Sequence, residues 1–131
     1  MNSCQFVGRF LKKPNLKVFE KSSGGNTFVT NFTLEISRIF RKKNGEEREQ
    51  VNQFDFEAWD VGAKLITDSF DSGDWITVHA SAKKESFKDP KTGEHTTRVK
   101  FRVNEFEIPK WSSSIESGRY EENKESEATR V

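Results

Sequence analysis

The sequence predicts an all-β fold, a five-stranded barrel with one short helix between its third and fourth strands. Three observations support this prediction. Apolar and polar residues alternate with a period of two over most of residues 4–108, as they do in half-buried strands. Turn signals containing glycine interrupt the alternation at 22–26, 44–45 and 90–93. Only the segment 60–70 has helical spacing instead.

The first two predicted strands flank the turn at 22–26. The first covers 4–11, has apolar residues on both faces, and contains Gly8, which indicates a bulge or a close approach of another backbone. The second begins at Phe28 and has the most regular alternation in the chain. Its inward face is predicted to comprise Phe28, Thr30, Phe32, Leu34 and Ile36.

A hairpin leads from the second strand into the third. Its tip is Asn44-Gly45, a pair that favours the positive φ angles of tight hairpin turns. The third strand then returns and ends at Trp59. Its alternation predicts Phe54, Phe56 and Ala58 on the inward face and Gln53, Asp55, Glu57 and Trp59 on the outward face.

The predicted helix follows the third strand directly. Asp60 has a side chain suited to capping the helix N-terminus, and Gly73 lies where a helix-ending residue is useful. Helical spacing predicts an apolar face made of Ala63, Leu65, Ile66 and Phe70.

Two further strands complete the barrel, one over 76–83 and one from residue 98 until Pro109 ends it. The parity of the apolar positions changes between Val103 and Phe106, which predicts a bulge near Asn104 and Glu105. Three strands, a helix and two strands is the order of the Greek-key barrel called the OB fold. A β-sandwich would explain the strands but would not need a helix in that place.

The C-terminal residues differ in composition from the rest of the chain. From Ser112 onward there are five Glu, two Arg and one Lys, and few apolar residues. Such a segment buries too little apolar surface to offset the entropy cost of ordering it. The predicted organisation is therefore an OB-fold domain over 1–110 and a disordered, acidic-leaning tail over 111–131. Because the formal net charge of the chain is +1, residues 1–111 carry +3.

Few chemistry-bearing residues support an enzyme or a metal site. The lone Cys4 excludes an internal disulfide, and His79 and His95 are the only histidines. Asp55 and Glu57 share a predicted strand face, but an outward polar face explains them more simply. Neither a Gly-rich phosphate loop nor a run long enough to span a membrane is present. We predict no catalytic residue, no metal, no cofactor and no membrane contact.

Aromatic residues set among cations are the strongest functional signal. Phe40 lies within the basic run 38–43, and Phe87 lies within the run 83–88; both runs lead into hairpin turns. An exposed ring can stack on a nucleic-acid base, which is worth roughly 1–3 kcal/mol per base for any base. Neighbouring Lys and Arg can hold phosphates. The parity of Phe40 also matches inward Ile36, so packing onto the barrel or a neighbouring subunit is the alternative.

Two tryptophans are further stacking candidates. Trp59 faces outward by parity, with covering of the helix start as the alternative. Trp75 faces away from inward Ile76, with shielding of the barrel end as its alternative. Trp111 follows the last strand and is a candidate for packing on the barrel or on another subunit. The candidates for phosphate contact, each with simple solvation as the alternative, are Arg9, Lys12, Lys13, Arg38, Arg41, Lys42, Lys43, Lys83, Lys84, Lys88, Arg98 and Lys100.

With these elements in order, the chain resembles bacterial-type single-stranded DNA-binding proteins, the SSB family, over roughly residues 3–108. No single segment is specific, but their order and spacing together match the family. The segments are Phe6-Val7-Gly8-Arg9, 13–17 leading to the Ser-Gly-Gly turn, 28–34, 54–59 leading into the helix, the Gly73-Asp74 turn, and 75–84.

The resemblance implies sequence-independent binding of single-stranded DNA in replication, recombination and repair. It implies base stacking on Phe40, Trp59 and Phe87, whereas Gln53 occupies the place of another family aromatic. It also implies a homo-oligomer, most often a tetramer, with a dimer left open, and a cytoplasmic location, in the host cytoplasm if the chain is viral. The family usually ends in an acidic run with an apolar tip that docks replication or recombination proteins, and this chain lacks that tip.

Two other classes of function stay open at the level of sequence. One is an OB module that binds RNA or docks replication proteins, which predicts no preference for single-stranded over duplex DNA. The other is a nuclease or an enzyme accessory, which predicts metal-dependent turnover of an oligonucleotide.

Overall fold

The computed structural model describes residues 1–109, and the predicted tail with Trp111 lies outside them. The described chain forms one sheet in the order β1-β5-β6-β4-β3-β2, which closes into a barrel because β1 also pairs with β3. The predicted OB-type barrel with one helix is confirmed; the helix lies between β4 and β5 in the structure's numbering. The elements are β1 (Cys4–Phe10), β2 (Asn15–Glu20), β3 (Asn26–Arg41), β4 (Glu47–Trp59), α1 (Asp60–Ser69), β5 (Trp75–Lys88) and β6 (His95–Glu107).

Strand β2 is the one element that the sequence does not predict. It pairs antiparallel with the first part of β3, whereas β1 pairs with the same edge of β3 further along, at Arg9 and Phe10. Strands β1 and β2 therefore occupy the place of one long, bent first strand of the barrel. All six residues of β2 are exposed, so the apolar alternation that reveals buried strands is absent there. Backbone pairing alone places β2 on the sheet.

Phenylalanine rings fill the barrel. Phe56 is fully buried, and its ring centroid lies 5.6 Å from that of Phe32, 5.4 Å from that of Phe101 and 5.3 Å from that of Phe6. The predicted inward parity of the strands before and after the helix is confirmed by this core. Its buried members are Phe10, Phe32, Leu34, Phe56, Ala58, Ala63, Ile66, Phe70, Ile76, Val78, Ala80 and Phe101.

Two backbone irregularities anticipated from the sequence are present. A Cβ added to Gly8 would lie 2.5 Å from Ile36 Cδ1 and 3.1 Å from the Glu35 carbonyl oxygen, so glycine permits the close approach of β1 and β3. The register of β1 on β5 runs through Gly8 without a break, which excludes a bulge there. The register of β5 on β6 shifts opposite Asn104, as the predicted bulge requires.

The helix departs from the prediction in three details. Asp60 does not cap it: Trp59 is the N-cap residue, and the Asp60 carboxylate instead accepts a hydrogen bond of 3.3 Å from the Phe28 N–H of β3. Gly73 does not end the helix, which stops at Ser69; Gly73 adopts φ +85° in the turn before β5. Leu65 is 50% exposed rather than part of the buried face. No helix within residues 1–109 is long and apolar enough to cross a bilayer.

Candidate nucleic-acid interface

One side of the sheet brings together five of the predicted site residues, Trp59, Phe87, Lys83, Arg98 and Lys100. Directly paired residues project to the same side of a sheet, so the strand registers define which side chains share it. Trp59 of β4 lies opposite Val29, which lies opposite Lys17 of β2. Glu57 lies beside Arg102 of β6, and the pairs of β6 with β5 extend the same side to Phe87. We call this side the outer face; its members used below are Lys17, Phe19, Val29, Asn31, Thr33, Gln53, Asp55, Glu57, Trp59, Lys83, Glu85, Phe87, Arg98, Lys100 and Arg102.

A row of cations runs along β6 on the outer face. Arg98, Lys100 and Arg102 are two residues apart, which separates successive residues by roughly 6.6 Å along the strand. We call these three residues the β6 stripe. The Arg98 guanidinium carbon lies 5.3 Å from the ring centroid of Phe87, and that of Arg102 lies 5.8 Å from the ring of Trp59. The stripe therefore has an aromatic ring at each end.

Arg102 is a site residue that the sequence analysis missed. It was omitted from the candidate cations although the alternation of β6 places it on the same side as Arg98 and Lys100. That alternation is the signal that would have identified it. Within the stripe Lys100 is the least accessible residue, at 8% exposed, whereas Arg98 and Arg102 are exposed.

The other cations of the β5–β6 hairpin divide between its two sides. Lys83 shares the outer face with Phe87, which is 43% exposed. Lys84 and Lys88 alternate with those residues and lie on the opposite side. The structure therefore brings Lys83, Arg98 and Lys100 together with Phe87, and separates Lys84 and Lys88 from them.

Phe40 lies on the β3–β4 hairpin, where the ribbon extends beyond the barrel. Pairing of β3 with β4 continues without a bulge to Arg41, so Phe40 keeps the inward parity of Ile36. It is nevertheless 37% exposed, because no opposing sheet covers this part of the ribbon among residues 1–109. The Arg38 guanidinium carbon lies 6.0 Å from its ring centroid, and Arg48 is its partner on β4.

The remaining cations of this hairpin lie elsewhere. Arg41 is on the side opposite Phe40, where its guanidinium forms an ion pair of 3.2 Å with Glu47. Lys42 and Lys43 are exposed at the hairpin tip, where the Lys42 N–H donates to the Glu46 carbonyl. Of the four predicted phosphate contacts on this hairpin, only Arg38 shares the side of Phe40.

Trp75 and its neighbours are separate from the β6 stripe. Trp75 is half-buried at the opposite end of β5 from Phe87, and the Arg9 guanidinium carbon lies 5.8 Å from its ring. Arg9 also forms an ion pair of 3.3 Å with Glu35. Lys12 and Lys13 line a cleft of about 380 Å³ beside β3, whose other lining residues are Leu11, Asn15, Asn31, Phe32, Thr33 and Gln53.

Glu57 is buried rather than solvated, which corrects the prediction of an exposed polar face there. It projects from the outward side of β4 but is only 3% exposed, and its carboxylate contacts the Lys83 ammonium. The same ammonium lies 3.2 Å from Glu85, whose carboxylate lies 3.5 Å from the Arg98 guanidinium. Asp55 does not join this network; it accepts a hydrogen bond of 2.9 Å from the Thr33 hydroxyl.

The ion-pair network shifts two pKa values in directions that favour the charged forms. The hydrogen bond to Glu57 raises the pKa of Lys83, and the hydrogen bond from Lys83 lowers the pKa of Glu85. The stability from Glu85 is therefore fully present above its unfolded pKa of 4.5 and is lost as pH falls toward the lowered folded value. The contribution of Lys83 persists at neutral pH and is lost only above 10.5.

Lys83→Met is expected to destabilise the fold by about 2 kcal/mol, because it leaves the buried Glu57 carboxylate without its cation. Urea unfolding at pH 7 measures this loss. Adding Glu57→Gln to the Lys83→Met variant should restore part of the stability, since the amide has no charge to leave unpaired. Lys84→Met is the matched control, because Lys84 is exposed on the opposite side of β5. Equal stability of the wild type and Lys83→Met would contradict the prediction.

Comparison with known proteins is consistent with this geometry. The model of the Single-strand binding protein family matches residues 1–109. The chain is 30% identical over 108 residues to single-stranded DNA-binding protein 1 of Nostoc sp., covering 82% of each sequence. It is 26% identical over 114 residues to single-stranded DNA-binding protein 3 of Clostridium acetobutylicum, covering 87% of this chain and 74% of that protein.

Solved structures share the fold at lower identity. The Plasmodium falciparum SSB in complex with single-stranded DNA aligns with a TM-score of 0.67 and 17% identity, over 82% of this chain and 91% of that one. The single-stranded DNA-binding protein of Thermus aquaticus, as a deletion mutant, aligns with a TM-score of 0.69 and 17% identity over 84% of this chain. The present chain covers 51% of that longer protein.

Proposed function

The chain belongs to the single-strand binding protein family, and from this premise we propose that it binds single-stranded DNA independently of sequence. The observation that carries the proposal is the β6 stripe with Phe87 at one end and Trp59 at the other. Aromatic rings that accept any base and cations that hold phosphates are the two parts of a sequence-tolerant single-strand site. The three cations are spaced along one strand, β6, and the rings at its two ends belong to β5 and β4.

In the proposed complex, phosphates lie along the β6 stripe and bases stack on the rings at its ends. Arg98 and Arg102 already lie near those rings, so each can hold a phosphate beside the base that stacks there. Stacking contributes roughly 1–3 kcal/mol per base and does not depend on base identity, because every base has a flat π face. The proposed activity is binding, with no bond made or broken and no cofactor required.

The β3–β4 hairpin supplies a second contact region. Phe40, Arg38 and Arg48 share one side of this ribbon, where Glu46, the residue just before β4, forms an ion pair of 3.6 Å with Arg48. The opposite side carries Arg41, Glu47 and Glu49, so the two sides differ in charge. We place the DNA on the side of Phe40.

Carboxylates next to several cations moderate the electrostatic contribution. The cations that form an ion pair with a glutamate are Lys83, Arg98, Arg9, Arg41 and Arg48. A phosphate that contacts one of them competes with that carboxylate. The affinity should therefore rest more on stacking, and less on charge, than the number of Lys and Arg residues indicates.

The oligomer and the cellular role complete the proposal. We infer a homo-oligomer, with a tetramer favoured over a dimer, from the resemblance to the family. Several OB barrels, each tracking about 4–16 nucleotides, would lengthen the site. Light scattering measures the mass of the assembly. Coating of single strands would keep them open during replication, recombination and repair in the cytoplasm.

Fluorescence titration with poly-dT at two salt concentrations tests the proposal. Quenching is expected because Trp59 lies where a base stacks. The logarithm of the association constant should fall with the logarithm of salt concentration by a slope of about −2 to −3, which corresponds to three or four neutralised phosphates. Duplex DNA and poly-U serve as competitors. Equal affinity for duplex would overturn the proposal, and preference for poly-U would assign the module to RNA.

A further inference from the structure

Phe19 is an exposed aromatic ring that lies outside the site described so far. It is on β2, the strand at the edge of the sheet, and is 52% exposed. Its register partner is Thr27, which places it on the outer face with Lys17 and Trp59. Within residues 1–109, Phe19 takes part in none of the aromatic pairs or cation contacts that involve the other rings. Its flat surface is therefore available to a ligand.

The immediate neighbours of Phe19 are basic. Lys17 precedes it by two residues on the same side of β2, and Lys21 follows it by two residues at the start of the turn. Both lysines are exposed. Phe40 also lies between two cations at this spacing, Arg38 and Lys42, but Phe19 lies on a strand that the sequence pattern did not reveal.

The position of Phe19 extends the line of contacts already described. That line starts at Phe87 on β5, follows the β6 stripe, and reaches Trp59 on β4. From Trp59, two strand spacings across the sheet and two residues along β2 lead to Phe19, a separation of roughly 12 Å between Cα atoms. Each step of this line crosses the sheet in the strand order β5, β6, β4, β3, β2.

A cleft connects the two parts of this line. Lys17 lines a cleft of about 290 Å³ together with Arg98 and Lys100 of the β6 stripe, and with Asn31, Thr33 and Asp55 on the strands between them. Cations thus stand on both walls of the cleft. Its floor carries the Asn31 amide and the Asp55 carboxylate, which accepts a hydrogen bond from the Thr33 hydroxyl. A phosphodiester backbone that leaves the β6 stripe would meet Lys17 on the way to Phe19.

From these observations we propose that Phe19, with Lys17 and Lys21, forms an additional base-stacking subsite that extends the bound single strand beyond Trp59. The inference rests on the proposed function and adds to it a subsite on β2. It also compensates for Gln53, which is exposed on the same face but offers no ring.

Phe19→Ala is expected to lower the affinity for a long oligo-dT about tenfold. Phe19→Tyr should keep the affinity, because it keeps a ring of the same size. The effect should depend on length: oligonucleotides too short to reach β2 should bind Phe19→Ala and wild type equally. Val18→Ala is the matched control, since Val18 is also 52% exposed, on the same strand but on its other side.

The test combines titration of an oligo-dT length series with photo-cross-linking of an oligonucleotide that contains 5-bromodeoxyuridine. Cross-linking to Phe19, together with a length-dependent loss in Phe19→Ala alone, would support the subsite. The subsite would be overturned if wild type binds oligo-dT and Phe19→Ala binds each length with the same affinity as wild type. A changed oligomer mass of Phe19→Ala without a length-dependent loss would assign the ring to a subunit contact and also overturn it. Absence of binding by wild type would instead contradict the proposed function.

Discussion

Replacing Phe40 and Phe87 together with alanine is expected to weaken binding of poly-dT at least tenfold. Each ring is proposed to stack on one base, so the combined loss is about 2–6 kcal/mol. The two rings lie on different hairpins, and their effects should therefore be nearly additive. Fluorescence titration of both single variants and the double variant measures the loss. Because both rings are exposed, the thermal stability should change little.

Matched controls exist on the same two hairpins. Ile39 is 70% exposed and Val99 is 49% exposed, and each projects from the opposite side of its ribbon from Phe40 or Phe87. The double variant Ile39→Ala with Val99→Ala therefore removes similar exposed apolar surface without removing a ring. It should bind poly-dT like wild type. Comparable losses in the two double variants, or no loss in either, would refute the assignment of the stacking residues.

Phe56→Ala is expected to destabilise the barrel by roughly 3–5 kcal/mol, the range for deleting a fully buried phenylalanine. The ring is 0% exposed and lies within 5.6 Å, between centroids, of Phe6, Phe32 and Phe101. Its loss leaves a cavity that four strands share, so relaxation can fill it only in part. Chemical denaturation at 25 °C measures the change, and Val61→Ala, at a residue 69% exposed, is the control. A loss below about 1 kcal/mol would mean that the core repacks readily.

The predictions for Phe56 and for the pair Phe40 and Phe87 distinguish two roles of phenylalanine in this chain. Phe56 stabilises the barrel through contact with other rings, whereas Phe40 and Phe87 lie near the guanidinium groups of Arg38 and Arg98. The first substitution should lower stability, and the second pair should lower DNA affinity. Composition alone, with twelve Phe in the chain, does not distinguish these roles.

Much of the barrel was predictable from alternation because inward residues of a closed sheet are apolar. Phe32, Leu34, Ile76 and Val78 are all buried as predicted. Strand β2 was not predictable this way, since all of its residues are exposed and its place depends on hydrogen bonds to β3. The role of Asp60 was misjudged for a related reason. Its carboxylate is held by the Phe28 N–H, a residue distant in sequence, rather than by its own helix.

The candidate site, too, was predictable where it depends on neighbours along the chain and not where it depends on contacts between strands. The basic and aromatic runs around Phe40 and Phe87 are local, so the sequence indicates them, and they remain predictions until binding is measured. The network of Glu57, Lys83 and Glu85 joins β4 and β5, which have β6 between them in the sheet, and parity alone predicted an exposed Glu57. Arg102 was missed although its alternation with Arg98 and Lys100 is visible in the sequence; its proximity to Trp59 is not.

By itself, the sequence determined the barrel, the position of the helix and the two hairpins that carry aromatic residues among cations. These features follow from neighbours along the chain, through alternation, turn residues and charge runs. Only the tertiary structure decided that Phe87, the β6 stripe, Trp59 and Phe19 lie along one line on one face. The physical reason is that strand register sets which distant side chains share a face. That register is fixed by backbone pairing, between consecutive strands for β2–β3, β3–β4 and β5–β6 and between strands far apart in the chain for β4–β6.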